Sequence, residues 1–81
     1  MENLREFATK DFYISALLKA LGFGLLRLEK TKSKFVVFVF SDPQNKAPEL
    51  IQRYWNRQIK IEPRTLIEQI HELKSRIHGG I

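Results

Sequence analysis

The spacing of apolar side chains changes period repeatedly along the chain, and each change marks an element. From residue 10 to about residue 21 the period is helical. Tyr13, Ile14, Ala16, Leu17, Leu18, Ala20 and Leu21 share one broad arc, with Asp11, Ser15 and Lys19 opposite. Thr9 is placed to cap the free amides of the first turn. Asp11 lies near the positive end of the helix dipole, and Gly22 can close the helix in a left-handed conformation. Phe12 falls on the polar side, so its ring needs either the N-terminal arm around Phe7 or a partner molecule.

Beyond Gly22 the pattern becomes that of strands. "FGLLRLEK" and "KFVVFVF" are rich in β-branched and aromatic residues and are joined by "TKSK", which predicts a hairpin. Leu26, Arg27, Leu28 and Glu29 alternate, so the first strand has one wet face. The second strand does not alternate. Phe35, Val37 and Val39 line one face and Val36, Phe38 and Phe40 the other, which calls for cover on both sides, from two helices or from a helix and a second protomer.

"SDPQNKAPEL" is rich in turn formers, with Asn45 as a candidate cap and Pro48 in the tolerated first turn of a helix that runs to about Asn56. Ala47, Leu50, Ile51, Tyr54 and Trp55 share one arc of it, while Lys46, Arg53 and Arg57 gather elsewhere. Tyr54 is mid-arc and is expected in the core; Trp55 is at the edge, where its ring can stand half exposed. "QIKIE" alternates again and predicts a short third strand, with Ile59 and Ile61 inward and Lys60 outward. Pro63 opens the last helix, on which Leu66, Ile67, Ile70, Leu73 and Ile77 form a narrow stripe and Glu72 is spaced to pair with Arg76. Lys74 intrudes on that stripe, its stem packing and its ammonium reaching water.

The expected fold is therefore a single α+β domain over residues 1–81, in the order α-β-β-α-β-α, with an N-terminal arm at 1–8 and a flexible tail at 79–81. Its antiparallel sheet, a hairpin or three strands, is centred on residues 35–40. Its predicted core is Leu17, Leu21, Leu28, Val37, Phe38, Tyr54, Ile61, Leu66, Ile70 and Leu73. An 81-residue chain can hide only roughly 60% of the surface its unfolded form exposes, so that core must be used fully. Without cysteine there is no disulfide framework and no thiolate metal site. The N-terminus lacks a secretory pattern and no apolar run reaches membrane-spanning length, so the expectation is a cytoplasmic protein with no membrane role.

Charge adds a direction. The net +5 is concentrated in two segments. Residues 27–34 carry Arg27, Lys30, Lys32 and Lys34 against Glu29, and residues 53–64 carry Arg53, Arg57, Lys60 and Arg64 against Glu62. Two separate basic segments point to an anionic partner. The chemistry-bearing residues do not point to catalysis, and no cofactor or small-molecule ligand is predicted. His71 and His78 are seven apart, without the spacing or third ligand of a zinc motif, and read as solvated; no metal site is predicted. The "GFG" glycines close a helix and open a strand, so they present no helix N-terminus to a phosphate.

The leading expectation is a noncatalytic module that binds nucleic acid through the hairpin tip, Lys30, Lys32 and Lys34 with Arg27, and through the flank formed by Arg53, Arg57 and Lys60. Lysines on a hairpin also keep strand edges soluble. The competing expectation is an assembly module, a homodimer formed through the doubly apolar strand or through Phe12 and Trp55. The aromatic strand has the flavour of an RNA-recognition motif, but the βαββαβ order is missing.

"TKDFYISALLKALGFGLLRLE", "VVFVF" and "YWNRQIKIEPRTLIEQIHELKSRI" together resemble a family of small uncharacterised bacterial and phage proteins classed as a domain of unknown function. The resemblance spans about residues 7–77 and rests on Thr9, Asp11 and Gly22, on Phe38 and Phe40, and on the closing "LKSRI". It implies an α+β fold and brings no catalytic residue or ligand. Such proteins often have a glycine after the Tyr segment, where this chain has Asn56 and Arg57.

Overall fold

The computed structural model describes residues 5–32 and 35–79. In chain order the elements are β1 (Glu6–Thr9), α1 (Phe12–Ala20), β2 (Leu25–Lys30), β3 (Val36–Ser41), α2 (Ala47–Trp55) and α3 (Pro63–Gly79). The α+β class and an antiparallel sheet centred on residues 35–40 are as expected. β3 is the middle strand, flanked by β1 and β2.

The third strand comes from the other end of the chain. The segment expected as an N-terminal arm forms β1, pairing Phe7 with Phe40 and Thr9 with Phe38. Residues 59–61 are not a strand; Ile59 and Ile61 are half-buried in an irregular connection. The reason is that β3 has two edges, and both are filled. In "EFAT" the alternation is only four residues long, but it puts Phe7 on the same face as Phe38 and Phe40, where burial holds the register.

That face meets the helices. Phe38 and Phe40 are buried with Ile14, Ala16, Leu18, Ala47 and Leu73, and Phe7, Leu28, Ile51, Leu66 and Ile70 pack around them. Each such large side chain contributes about 1.5–3 kcal/mol relative to exposure. The predicted core is right for Leu17, Phe38 and Leu73, which are buried, and half-right for Leu21, Leu28, Val37, Ile61, Leu66 and Ile70, which are partly so. Tyr54 is the correction: it is exposed. Phe12, expected to need either the N-terminal arm around Phe7 or a partner, is partly buried within the chain, edge-on to Phe38 with 6.3 Å between ring centroids, against the core that Phe7 also joins.

The other sheet face holds Val37 and Val39. Val39 lies outside the cluster that joins helices to sheet, yet it is buried. Arg27, its cross-strand neighbour on β2, reaches over β3 to Glu6 on β1. The cover that this face needs thus comes in part from an ion pair laid across it. Leu26 sits at a bulge in β2 and remains exposed.

The helix starts also differ from expectation. Asp11, rather than Thr9, caps α1, accepting from the Ile14 amide at 3.0 Å. Thr9 instead accepts from the Asp11 amide at 3.1 Å. Asn45 does not cap α2: the buried Asp42 carboxylate does, accepting from the Lys46 and Ala47 amides at 2.8 and 2.9 Å. Glu72 pairs with Lys19 on α1 instead of relying on Arg76, which joins α3 to α1. The Lys19 ammonium, with Arg76 adding a smaller attraction, holds the Glu72 carboxyl below its ordinary range. Gly79 ends α3, while residues 80 and 81 of the expected tail lie outside the described residues.

Candidate functional site

The two basic segments fare differently once folded. Arg27 is engaged on every side: Nη1 and Nη2 donate to the two Glu6 carboxylate oxygens at 3.1 and 2.9 Å, and Nε donates to Glu29 at 2.7 Å. This fork geometry is the strong form of an ion pair. Its hydrogen bonds lower the Glu6 pKa and raise that of Arg27 further. Arg27 was expected at a phosphate; its guanidinium is instead a structural strap. Lys30 ends β2 and Lys32 lies exposed in the turn, while Lys34 lies outside the described residues. Near this end of the sheet Phe35 is exposed and carries the Lys10 ammonium 5.5 Å from its ring centroid. The sequence places Phe35 on one face of the doubly apolar strand; in the structure it stands just ahead of β3.

The second segment is built around the end of α2. Tyr54 and Trp55 are 38% and 64% exposed, and their rings meet edge to face with centroids 5.1 Å apart. Buried side chains on α2 are confined to Ala47, with Leu50 and Ile51 partly covered, so the apolar arc is docked at the start of the helix and lifts clear of the core at its end. Cations flank the rings in sequence. Arg53 precedes them and makes a long pair with Glu49, 3.9 Å; Arg57 and Lys60 follow, both exposed. Exposed pairs of that kind fix little, at about 0–1 kcal/mol. Arg64, the second residue of α3, pairs with Glu68 at 3.3 Å.

The turn after Trp55 is unusual in its residue choice. The Gln58 amide bonds to the Arg53 carbonyl at 2.8 Å and the Arg57 amide to the Tyr54 carbonyl at 3.0 Å. That pair of bonds is the Schellman closure, which needs a left-handed residue, normally glycine. Here the residue is Arg57, at φ 61°. The same closure ends α1 with Gly22 at φ 100°, with Phe23 bonded to Leu18 and Gly22 to Lys19. An arginine in the left-handed region costs about 1–2 kcal/mol that glycine avoids.

Other places offer less. A cleft of about 530 Å³ lies between the Gly22–Gly24 turn and the loop from Ser41 to Lys46, but its carboxylate, Asp42, is committed to the α2 amides. His71 and His78 are exposed on α3, and among the described residues no three metal-ligating side chains come together. Among the same residues no helix is long and apolar enough to cross a membrane.

Residues 4–79 match the family model described as a domain of unknown function, DUF5659, and the chain belongs to that family. No match was found among curated proteins or among solved structures.

Proposed function

We propose that this member of the DUF5659 family is a noncatalytic nucleic-acid-binding module whose contact surface centres on the end of α2. The observation that carries the reading is the exposed Tyr54–Trp55 pair, its rings in edge-to-face contact, at a helix end whose sequence also carries the exposed cations Arg53, Arg57 and Lys60. Adjacent exposed rings present apolar flat surface, and cations near them in sequence suit a ligand with both flat faces and phosphates. Arg57 strengthens the reading, because it occupies a position where glycine would make a more stable turn. The hairpin contributes in a secondary role through Lys30, Lys32 and Lys34, as a basic arm that contacts phosphates without reading sequence. Arg27 has no part in it, since both of its carboxylate partners would have to be displaced.

Fluorescence anisotropy with labelled DNA and RNA, single- and double-stranded, tests the proposal at low and moderate salt. Binding that weakens steeply as salt rises is the expected result. Absence of binding to all four at low salt overturns it.

A second reading, a homodimeric assembly module with no nucleic-acid role, draws on Leu26 at the β2 bulge and Phe35 just ahead of β3, which are 51% and 59% exposed. Light scattering across a concentration series tests it, and a mass that stays monomeric at every concentration rejects it.

A further inference from the structure

We infer that the ligand of the α2 end is a single strand, and that Trp55, supported edge to face by Tyr54, is a platform on which an unpaired base stacks. The inference rests on the nucleic-acid reading above and adds to it the form of the ligand. Duplexes bury the faces of their bases within the stack and offer outward only base edges and phosphates. An indole has one N–H donor and no acceptor, so it is poorly equipped to read base edges; its useful surface is its flat face. At 64% exposure, with a T-shaped neighbour at 5.1 Å, that surface is both open and held in place. Only a base freed from its stack can use it.

The cations fit the same ligand. Arg53 and Arg57 flank the aromatic pair in sequence, Arg53 within α2 and Arg57 two residues past its end, and Lys60 continues along the connection toward α3. Rings and exposed cations thus share residues 53–60. Such a combination binds backbone and base together with no demand on base identity. Glu49, Glu62 and Glu68 are the nearby carboxylates in sequence. Glu49 and Glu68 pair with Arg53 and Arg64, and Glu62 accepts from the Thr65 amide at 2.9 Å at the start of α3. None of these acids is paired with Arg57 or Lys60.

Trp55 is the sole tryptophan of the chain, so its emission reports on this platform alone. The experiment titrates the intact protein with a thymine-only DNA oligonucleotide, a uracil-only RNA oligonucleotide and a long DNA duplex, following indole emission and anisotropy of the labelled nucleic acid in parallel. Either single strand is expected to bind and quench the indole. The duplex is expected to bind more weakly and leave the emission nearly unchanged. Trp55→Ala should weaken single-strand binding about tenfold or more, while Trp55→Phe, which keeps a flat ring, should retain most of it. Since Trp55 is exposed, both variants should keep the parent's thermal unfolding profile. Duplex binding as tight as single-strand binding with unaltered indole emission would overturn the inference and leave the nucleic-acid reading standing. Unquenched emission on bound single strand, or an undiminished affinity in Trp55→Ala, would overturn the platform alone. No binding to any of the three would overturn both.

Discussion

The two short helices close in the same way and with different residues. Behind α1, Gly22 takes the left-handed position, and a side chain added there would meet nothing within 4 Å, so backbone conformation alone decides the choice. Behind α2, Arg57 takes the same position and the same two hydrogen bonds form around it. Where α1 ends, the chain has the residue the turn prefers; where α2 ends, it has one the turn resists. The α1 end leads straight into β2 and is part of the framework. The α2 end carries exposed rings and cations and leads into an irregular connection. A local rule is obeyed where only folding is at stake and broken beside the surface proposed to bind, which is where such departures are expected.

Several substitutions press on that comparison. The largest effect on stability should come from the start of α2: Asp42→Ala leaves the Lys46 and Ala47 amides without their buried acceptor and should cost about 2 kcal/mol, read as a lower midpoint in urea. Because the cap fixes how α2 leaves the sheet, nucleic-acid affinity should drop with it. Gly22→Arg converts the α1 closure into a copy of the α2 closure and should cost about 1–2 kcal/mol; an unchanged midpoint would show that these turns do not discriminate. Arg57→Gly is the converse and should stabilise the protein by about 1 kcal/mol while weakening nucleic-acid binding and flattening its salt dependence by about one counterion. If this variant gained stability and lost no affinity, Arg57 would be no more than a tolerated residue.

The smallest effects concern the strap and the cross-helix pair, both at the surface. Arg27→Gln should leave nucleic-acid affinity unchanged and lower the unfolding temperature slightly, whereas Arg53→Gln with Arg57→Gln should lower affinity more than glutamine at Lys30, Lys32 and Lys34 together. The same pairs make stability fall in acid. Glu6 and Glu72 have folded-state pKa values below the ordinary 4.5, lowered chiefly by hydrogen bonds from Arg27 and Lys19. Their contribution is therefore present above that ordinary value and is lost as pH falls through the lowered ones. Unfolding temperature measured against pH should decline below about 4.5 and decline less in a Glu6→Gln, Glu72→Gln variant.

Much of the molecule was legible in the order of its residues. Period located α1, the β2–β3 hairpin, α2 and α3, because their apolar patterns run long enough to favour one kind of element, whereas the short alternation of residues 58–62 did not make a strand. Gly22 and Pro63 marked boundaries for the same local reason, since backbone freedom and a fixed φ act within a single residue. The binding surface was half legible. Its cations could be counted, but the wheel of α2 assigned Tyr54 to the core, because a helical wheel has no information on where along its length a helix leaves the body of the protein.

Sequence by itself thus determined the three helices and the β2–β3 hairpin, which face of β3 is richest in aromatic side chains, and how much positive charge each segment carries. Tertiary structure decided the rest. It gave the second edge of β3 to residues 6–9 and not to 59–61, because pairing partners compete for a finite number of edges. It tied up Arg27 between Glu6 and Glu29, which are 21 and 2 residues away, while leaving Arg57 and Lys60 exposed. And it carried Tyr54 and Trp55 past the end of the core. The pairing of β1 with β3 and of Arg27 with Glu6 depends on contacts between residues distant in the chain, and periodicity, which is a property of neighbours, cannot encode them.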